Sequence, residues 1–505
     1  MKIPFKKVPE GYYSRVLFPN NIFDALPKDH ECFLYKEIFQ QIDTSDIEKK
    51  YSRKGQNAYH PKLIVSILIY SYSRGVFSSR RIERRCKEDL SFMYIAEMNC
   101  PNFRVLGDFR KNNPDFFHDC FKQSVLLAME LGLASLGHVS LDGSKFKANT
   151  SKHKAMSYKR LKEKEKELTE EIESLVEKAR KCDKEEDEEY KEKTGYEIPE
   201  DLKYKKGRLS KIKKAKEALE KREEELNPGK KIDDKKQISF SDTEARIMGK
   251  KGNFDYGYNG QVVADSDNQI IVAQHVSQQA NDKREVKPAL KNLQATTGKS
   301  ASKLSADNGY FSGDNLEALE ESDTDAYVAT NKGEKKSKIH LDESNRKLQK
   351  SDFIYNEKDD SFTCPGGQRL VLKSKSKNGK RSYHGVSDIC AACRYRSRCC
   401  KSRKGNARTI NTDVHEAIRS QMNMKMESDA AKEIYGKRKG IVEPVFGQIK
   451  NTGFRGFSMR GHEKVSGEFS LVCAAHNFKK IMRAVGKKME ACWKSEASNS
   501  VPVPV

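Results

Sequence analysis

The chain has 505 residues, more than a single ordinary hydrophobic core holds, and a length of this kind predicts about three domains. Lysine and arginine outnumber aspartate and glutamate by 96 to 73, which gives a formal net charge of +23 and a pI near 9.3. A field of that sign attracts polyanions, so nucleic acid is the expected partner. A ribosome-associated protein or a cationic membrane-surface protein would share this charge.

Apolar segments are short throughout the chain. The first residues, MKIPFKKVPEGYY, contain no apolar signal core, and the longest apolar run, near residues 63–70, is too short to span a bilayer. We therefore expect a soluble cytoplasmic protein, associated with the nucleoid and not with a membrane. In that reducing compartment the 12 cysteines are not expected to form disulfides, and a cluster of them indicates a metal site.

Residues 1–135 are predicted to form a helical N-terminal domain that binds DNA. Apolar residues recur at helical intervals around Gly75, and Ser78 and Ser79 are candidate N-caps of a basic helix. A helix, a turn and a basic helix are typical of a DNA-reading unit, but a solvated basic face on a helical bundle explains the same pattern equally well. The arginines of this helix, the candidate DNA contacts, are Arg80, Arg81, Arg84 and Arg85.

Three acidic residues in distant parts of the chain are candidates for catalysis. Asp142 follows a short apolar lead in VSLDGSKFKANT, Asp307 follows another in KLSADNGYF, and Glu443 lies among apolar residues at helical spacing in IVEPVFGQIK. Carboxylates are the oxygen ligands that Mg²⁺ prefers, and two Mg²⁺ ions about 4 Å apart can activate a water and neutralise the leaving oxygen in phosphodiester cleavage. Asp142 would bridge the two ions, and the other two acids would each complete one. The alternative, ordinary surface or capping acids, fits less well because each acid adjoins a predicted buried strand or helix.

Cations and an aromatic residue surround the third acid. Within about four helical turns of sequence lie the further candidate DNA contacts, Tyr435, Arg438, Lys439 and Lys450. Pro444 cannot donate a hydrogen bond to the carbonyl of Gly440. A helix start or a kink is therefore predicted beside Glu443.

Residues 156–227 are predicted to form an inserted antiparallel coiled-coil hairpin. Lysine, glutamate and arginine dominate this segment, and its leucines and isoleucines fall near heptad positions. A break at residues 194–199 separates the two helices. Such charged runs are usually solvated faces, so no catalytic role is assigned, and the hairpin is expected to contact DNA or to pair protomers.

Residues 332–430 are predicted to form a Cys-rich insertion with a structural Zn²⁺ site. The Cys-x-x-Cys step of Cys390 and Cys393 can place two thiolates on one tetrahedral metal, and Cys364, in a Pro-Gly-Gly turn, and Cys399 can complete it. Cys400 is the alternate fourth ligand, and His384 competes. The other interpretation is a set of buried free thiols, which fits less well because residues 364–400 hold few large apolar residues.

The remaining segments alternate strands with helices. Residues 136–155 and 228–331 carry the first two acids on predicted strands, and residues 431–487 carry the third on helices. This alternation predicts an α/β fold with a mixed sheet and helices against it. The tail, residues 488–505, is predicted to be disordered.

These motifs resemble those of the DDE transposases of bacterial insertion sequences, in particular the insertion-sequence 1182 group. The resemblance rests on LDGSKFKAN, SADNGYFS and YGKRKGIVEPVFGQIK, supported by FSSRRIERRC and GFRGFSMRGHEKVSGEFSLVCAAHN. It implies an RNase H-like catalytic core, cleavage at the ends of the element with Mg²⁺ or Mn²⁺, and joining of the freed 3′-hydroxyl to target DNA. The implied partners are double-stranded DNA, with the terminal inverted repeats and the target, and a second copy of the chain in a dimer on that DNA.

The resemblance also implies roles near the third acid. A Tyr, Arg, Glu and Lys signature in related transposases would fall on Tyr435, Arg438, Glu443 and Lys450. Four residues separate Arg438 from Glu443 where the commonest pattern has three, so either Arg438 or Lys439 would contact phosphate.

Two other functions are compatible with these motifs. One is an inactive or domesticated DNA-binding protein of transposase origin, which would not need three acids. The other is a metal-dependent nuclease without strand transfer, which would share the same core.

Overall fold

The computed structural model of the protein describes residues 21–51, 58–151, 155–189, 200–250, 253–330, 346–376, 379–400 and 406–499. The helices of the N-terminal part and of the first insertion are α1 Glu31–Gln40, α2 Ser45–Glu48, α3 Pro61–Ser73, α4 Ser79–Glu88, α5 Leu90–Ile95, α6 Phe103–Asn112, α7 Pro114–Glu130, α8 Tyr158–Glu189 and α9 Glu200–Leu226. The later helices are α10 Val286–Thr297, α11 Gly313–Glu320, α12 Ser387–Ala391, α13 Arg396–Cys399, α14 Glu416–Glu427, α15 Asp429–Ile441, α16 Glu443–Asn451 and α17 His462–Asn499. None of the helices in these ranges combines the length and the apolar content needed to cross a membrane.

The strands form two larger sheets and one short pair. Those of the main sheet are β1 His138–Lys147, β4 Arg246–Lys250, β5 Asn253–Asp265, β6 Ile271–Ser277, β7 Lys303–Ala306 and β8 Asp325–Val328. The pair consists of β2 Ala155–Ser157 and β3 Gln237–Ser239. The small sheet consists of β9 Ile354–Asn356, β10 Ser361–Thr363, β11 Arg369–Lys375, β12 Arg381–His384 and β13 Thr409–Thr412.

The main sheet has a mixed topology centred on β1. Strand β1 pairs antiparallel with β5, which pairs antiparallel with β6 and β4, and on its other side β1 pairs parallel with β7, which pairs parallel with β8. Helices α10 and α11 make the connections that precede and follow β7, as parallel neighbours require. Antiparallel strands in the first half and parallel strands in the second half are the arrangement of an RNase H-like core, so the predicted fold class is confirmed.

The N-terminal helices and the main sheet share one hydrophobic cluster. Helix α17 packs against α7, α3 and β6, and the rings of Phe39 and Phe478 meet edge to face with centroids 5.6 Å apart. Ile67, Leu141 and Phe469 all belong to this cluster and are fully buried. The boundary proposed at residue 135 therefore does not separate two hydrophobic cores.

The inserted hairpin has a small cluster of its own. Helices α8 and α9 pack against each other, and ion pairs join Lys205 to Glu171 at 2.9 Å and Lys216 to Glu165 at 2.8 Å. The antiparallel β2–β3 pair brings the two ends of the insertion together. The predicted helix break at residues 194–199 lies outside the described residues.

The Cys-rich segment contains an antiparallel five-stranded sheet in the order β13-β12-β11-β10-β9. No strand was predicted here, because each strand carries few apolar residues within a sequence rich in lysine and serine. Phe362, Leu370, Tyr383 and Ile410 are nevertheless buried in one cluster under the sheet.

The last helix is longer than predicted. Helix α17 continues to Asn499, so residues 488–499 are helical and not the disordered tail we expected. The run KKMEACWKSEA is rich in good helix formers, which explains the extension. Residues 500–505 lie outside the described part of the chain.

Candidate active site

Asp142 lies on the central strand of the main sheet with little exposure to solvent. Its side chain is 19% exposed, and the backbone N–H of Gly143 donates to Asp142 Oδ1 at 2.9 Å. A Cβ on Gly143 would lie 2.2 Å from Nε2 of Gln261 on the neighbouring strand, so the next position has no room for a side chain. The carboxylate is therefore held on a rigid strand.

Asp307 directly follows β7, the parallel neighbour of β1. The register pairs Leu141 with Ala306, so Asp142, the next residue on β1, lies level with Asp307, the first residue after β7. The N–H of Gly309 donates to Asp307 Oδ1 at 2.8 Å and fixes the carboxylate. The prediction that Asp307 follows a short apolar strand, as Asp142 follows the apolar start of β1, is confirmed.

Glu443 reaches the same region from the helices. Helix α15 ends at Ile441, and α16 begins at Glu443 with Pro444 in its first turn, which is the predicted helix start. The buried guanidinium of Arg438 lies 3.2 Å from Glu443 Oε1 and 3.1 Å from Asp142 Oδ2. Arg438 thus joins the third acid to the first.

The acids influence one another electrostatically. Burial raises the pKa of Asp142 to about 6, against the opposing effects of Arg438 and the Gly143 N–H, and the nearby Asp307 and Asp282 raise it further. Burial also raises the pKa of Tyr435. The charge of Arg438 lowers this pKa, and the charges of the three predicted acids raise it. These groups form one charged cluster.

Asp282, in the loop between β6 and α10, is a fourth carboxylate that we did not predict. Its Oδ1 accepts hydrogen bonds from Asn259 Nδ2 at 2.8 Å and Gln261 Nε2 at 2.7 Å. Its own surroundings, QQANDKRE, are polar and show no buried element. The sequence signal that could have indicated a polar partner lies on β5. Asn259 and Gln261 are buried polar residues on one face of that strand, and buried polar groups need hydrogen-bond partners.

The other residues predicted around Glu443 occupy different environments. Lys450 Nζ donates to the hydroxyl of Ser144 at 2.5 Å and so lies beside β1, two residues beyond Asp142. Lys439 is exposed on α15, whereas Arg438 is buried and engaged by two carboxylates. Of these two cations, Lys439 is the one open to a phosphate in this arrangement.

The predicted basic helix, α4, presents its arginines to solvent. Ile82 and Cys86 face the core, and the exposed side chains include those of Arg80, Arg81, Arg84 and Arg85. Glu88 and Asp89 pair with Arg84 and Arg85 at 2.8 and 3.0 Å, and Arg80 stacks over the ring of Phe103. The exposure suits both of the interpretations above, a DNA-reading helix and a solvated face.

The donor chemistry of the acidic cluster fits a divalent metal. Carboxylate oxygens are the ligands that Mg²⁺ and Mn²⁺ prefer. Among the described residues, Asp282 and Asp307 form no ion pair, so their charges have no protein cation to neutralise them. Across the same part of the chain, no three His, Cys, Asp or Glu side chains are already arranged around a common metal position.

Five cysteines of the second insertion line one small apolar cavity of about 40 Å³: Cys364, Cys390, Cys393, Cys399 and Cys400. The sulfurs of Cys364 and Cys393 each lie 3.6 Å from the point where a Cβ on Gly366 would be. Burial raises the pKa of Cys399 to about 12. The thiols converge, although within the described ranges they do not form a preassembled metal site, and His384 instead lies 3.0 Å from the hydroxyl of Ser382.

Comparison with known proteins identifies two matching domains. The family model described as Transposase domain (DUF772) matches residues 20–112, which include α4, and the model described as Transposase DDE domain matches residues 363–482, which include Glu443 and most of the small sheet. Asp142 and Asp307 lie outside both matches. No curated protein matches the chain.

One match among solved structures is the cryo-EM structure of the piggyBac transposase synaptic complex with hairpin DNA. It has 11% sequence identity, and the alignment covers 94% of this chain and 82% of that chain with a TM-score of 0.28. A TM-score this low carries no weight for the fold, which rests on the sheet topology. The DUF772 and DDE domains are characteristic of insertion-sequence transposases, and with both of them this chain is a relative of those proteins.

Proposed function

We propose that this transposase cleaves DNA at the ends of an insertion sequence and joins the freed 3′-hydroxyl to target DNA, with Asp142, Asp307 and Glu443 as its catalytic acids. The observation that carries this proposal is the convergence of the three. Neighbouring parallel strands bring Asp142 and Asp307 to one sheet edge, and Arg438 links Glu443 to Asp142 across two short contacts.

The three acids would hold Mg²⁺ or Mn²⁺, as two ions in the proposed mechanism. When bound, the metal supplies Lewis-acid activation of the attacking oxygen and neutralises the leaving oxygen. Asp142 must be ionised for this role. Burial opposes ionisation and raises the pKa of Asp142, and Arg438 counteracts part of this effect before a metal enters.

Cations near the acids would position the DNA backbone. Lys439 is exposed on α15, and Lys450 lies beside Ser144 on β1, so the two lie on either side of Glu443 in sequence. Tyr435, on which the charges of the three acids act, would contact the same DNA strand. The arginines of α4 would bind a more distant part of the terminal repeat, and a dimer would hold two element ends together.

Substitution of each acid tests the proposal. Asp142→Asn, Asp307→Asn and Glu443→Gln each remove a metal-binding charge but little phosphate contact, so each should abolish cleavage of a labelled element end in Mg²⁺ while DNA binding persists. Asp323→Asn is the matched control, because Asp323 is an exposed acid that precedes β8 at the opposite edge of the same sheet. Cleavage at the wild-type rate in any one of the three variants would remove that residue from the proposed site.

The two alternative functions give different results in the same assays. An inactive DNA-binding protein would shift the labelled end in a gel without cutting it in Mg²⁺ or Mn²⁺. A nuclease without strand transfer would release the end but form no joined product with a supercoiled target plasmid. The proposed function requires both cleavage and joined product.

We also propose that Cys364, Cys390, Cys393 and Cys399 bind one structural Zn²⁺. Support comes from the convergence of these thiols on one cavity. Cys400, which also lines it, remains the alternate ligand. A bound cation would stabilise the thiolate of Cys399, which burial alone disfavours.

Metal analysis of protein purified without chelator should find one zinc per chain. A Cys390→Ser, Cys393→Ser double variant should lose it, whereas Cys473→Ser, in the core helix α17, should not. Less than half an equivalent of zinc in the wild-type chain, with residues 346–412 still protected from protease, would reject the site.

A further inference from the structure

Asp282 is held in one orientation by the strand next to the first acid. Its Oδ1 accepts from Asn259 Nδ2 and Gln261 Nε2, two side chains on the same face of β5, which is paired with β1. The hydroxyl of the fully buried Tyr310 donates to Gln261 Oε1, which fixes the direction of the amide. Gln261 can therefore present only its N–H groups to Asp282.

The second oxygen of Asp282 faces the second acid. Oδ2 of Asp282 and Oδ1 of Asp307 lie 3.3 and 2.9 Å from the point where a Cβ on Gly309 would be. Only glycine leaves this space between the two carboxylates open. No group in the described part of the chain donates a hydrogen bond to Asp282 Oδ2, since the contacts of this carboxylate are those of Oδ1.

The charges of this pair are not balanced by the protein. Arg438 pairs with Asp142 and Glu443, and no cation among the described residues pairs with Asp282 or Asp307. Two carboxylates fixed close to each other repel unless a cation joins them. A hydrogen-bond network that maintains such a pair is the arrangement expected of a site for a divalent cation.

We infer that Asp282 is a fourth acidic residue of the active site and that it helps Asp307 to hold a divalent metal ion. This inference rests on the proposed function, because it concerns the metal that the catalytic acids would bind. It assigns the metal two carboxylates from the loops after β6 and β7, in addition to Asp142 and Glu443.

Metal binding to the full-length, DNA-free protein tests the inference without relying on catalysis. Asp282→Asn keeps an oxygen that can accept from Asn259 and Gln261, but it removes the charge and the oxygen that faces Asp307. The affinity for Mn²⁺ in calorimetric titration should fall about 10- to 100-fold, as for other groups that support a metal site. Asp323→Asn, at the opposite sheet edge, should bind Mn²⁺ as the wild type does.

Thermal unfolding separates this role from a structural one. In EDTA the Asp282→Asn variant should melt at or slightly above the wild-type temperature, because a repulsion is removed. Addition of Mn²⁺ should raise the melting temperature of the wild type more than that of the variant, since a ligand stabilises the fold in proportion to its binding. Equal Mn²⁺ affinity and equal stabilisation in wild type and variant would overturn the inference.

A second measurement uses the wild-type chain alone and does not depend on the folding of any variant. Fe²⁺ bound in place of Mn²⁺, with ascorbate and peroxide, cuts the backbone next to the metal. Cuts near residue 282 as well as near residues 142 and 307 are expected. Cuts at 142 and 307 without any at 282 would overturn the role of Asp282 and leave the proposed function intact, whereas absence of all metal binding would overturn both.

Discussion

The cluster beneath the main sheet and the cluster beneath the small sheet differ in size and in the groups they hold. The first joins the N-terminal helices, both faces of the sheet and α17, and the second contains seven buried apolar residues in the described part of the chain. The acidic site, with its buried arginine and close carboxylates, lowers the stability of the fold, and apolar burial in the large cluster offsets that loss. The small cluster is lined on one side by cysteines, as expected of a fold too small to be stabilised by apolar burial alone.

The hairpin insertion, like the small sheet, has a hydrophobic cluster of its own. Its buried residues form a third cluster, separate from the other two. The two insertions therefore depend on the core for position and not for apolar contacts. This difference predicts how the molecule responds when each region is altered.

The largest expected effect comes from a matched pair of phenylalanines. Phe146 is 1% exposed and its ring meets four others in the main cluster, and Phe362, also 1% exposed, lies under the small sheet. Phe146→Ala should lower the free energy of unfolding of the whole core by about 3–5 kcal/mol. Phe362→Ala should loosen residues 346–412 alone.

Hydrogen exchange resolved by segment distinguishes these outcomes. In the Phe146 variant, protection should fall together in β1, α3 and α17, whereas in the Phe362 variant it should fall in β9–β13 only. If Phe362→Ala lowered protection in β1 as much as Phe146→Ala does, the small sheet and the core would be one cooperative unit and not two separate ones.

A smaller effect is expected from pH, with opposite signs in the two sheets. Burial raises the pKa of Asp142 from 3.8 to about 6, so its charge destabilises the folded chain above pH 6 and the penalty disappears as the pH falls below 3.8. Burial also acts to raise the pKa of Asp360 in the small sheet, but hydrogen bonds from Tyr383 and Tyr355 and the charge of Arg381 outweigh it and lower the pKa. Charged Asp360 therefore stabilises its sheet above pH 3.8, and that stability is lost at lower pH.

The measurement is urea unfolding of Asp142→Asn and Asp360→Asn in EDTA between pH 3 and 7.5. Asp142→Asn should be more stable than the wild type by about 1–3 kcal/mol at pH 7.5, because one pKa unit corresponds to about 1.4 kcal/mol, and the gain should shrink towards pH 4. Asp360→Asn should be less stable in its sheet at pH 7.5. A loss of stability in Asp142→Asn at pH 7.5 would show that the ion pair with Arg438 outweighs burial.

The parts of this structure that the sequence predicted are those with a long local pattern. Asp142 lies on one apolar strand, Asp307 follows another, and Pro444 marks the start of the helix that carries Glu443, so the elements that carry all three could be located. The two long insertion helices showed their period in the same way.

The parts that could not be predicted depend on contacts between distant segments. Asp282 belongs to the site only because Asn259 and Gln261 reach it from another strand, and the role of Arg438 depends on where α15 packs against β1. The strands of the small sheet each bury two side chains at most, too few to show a period. The continuation of α17 beyond residue 487 contradicts our expectation from the polar tail.

The smallest effect is expected from removal of the hairpin. The strands β2 and β3 pair Ser157 with Gln237, so a short Gly-Ser turn can replace residues 158–236 without moving either end. The deletion takes away the buried residues of the third cluster except Ile238, and it opens no part of the main cluster. The free energy of unfolding of the core should therefore fall by no more than about 1.5 kcal/mol, the lower end of the cost of exposing one isoleucine, because Met156, the partner of Ile238 in β2, remains beside it. Ile238→Thr in the full-length chain is the matched control, because it measures the cost of that side chain with the hairpin still present. Loss of cooperative urea unfolding in the deletion variant, when Ile238→Thr unfolds as the wild type does, would show that the hairpin belongs to the core and is not an independent insertion.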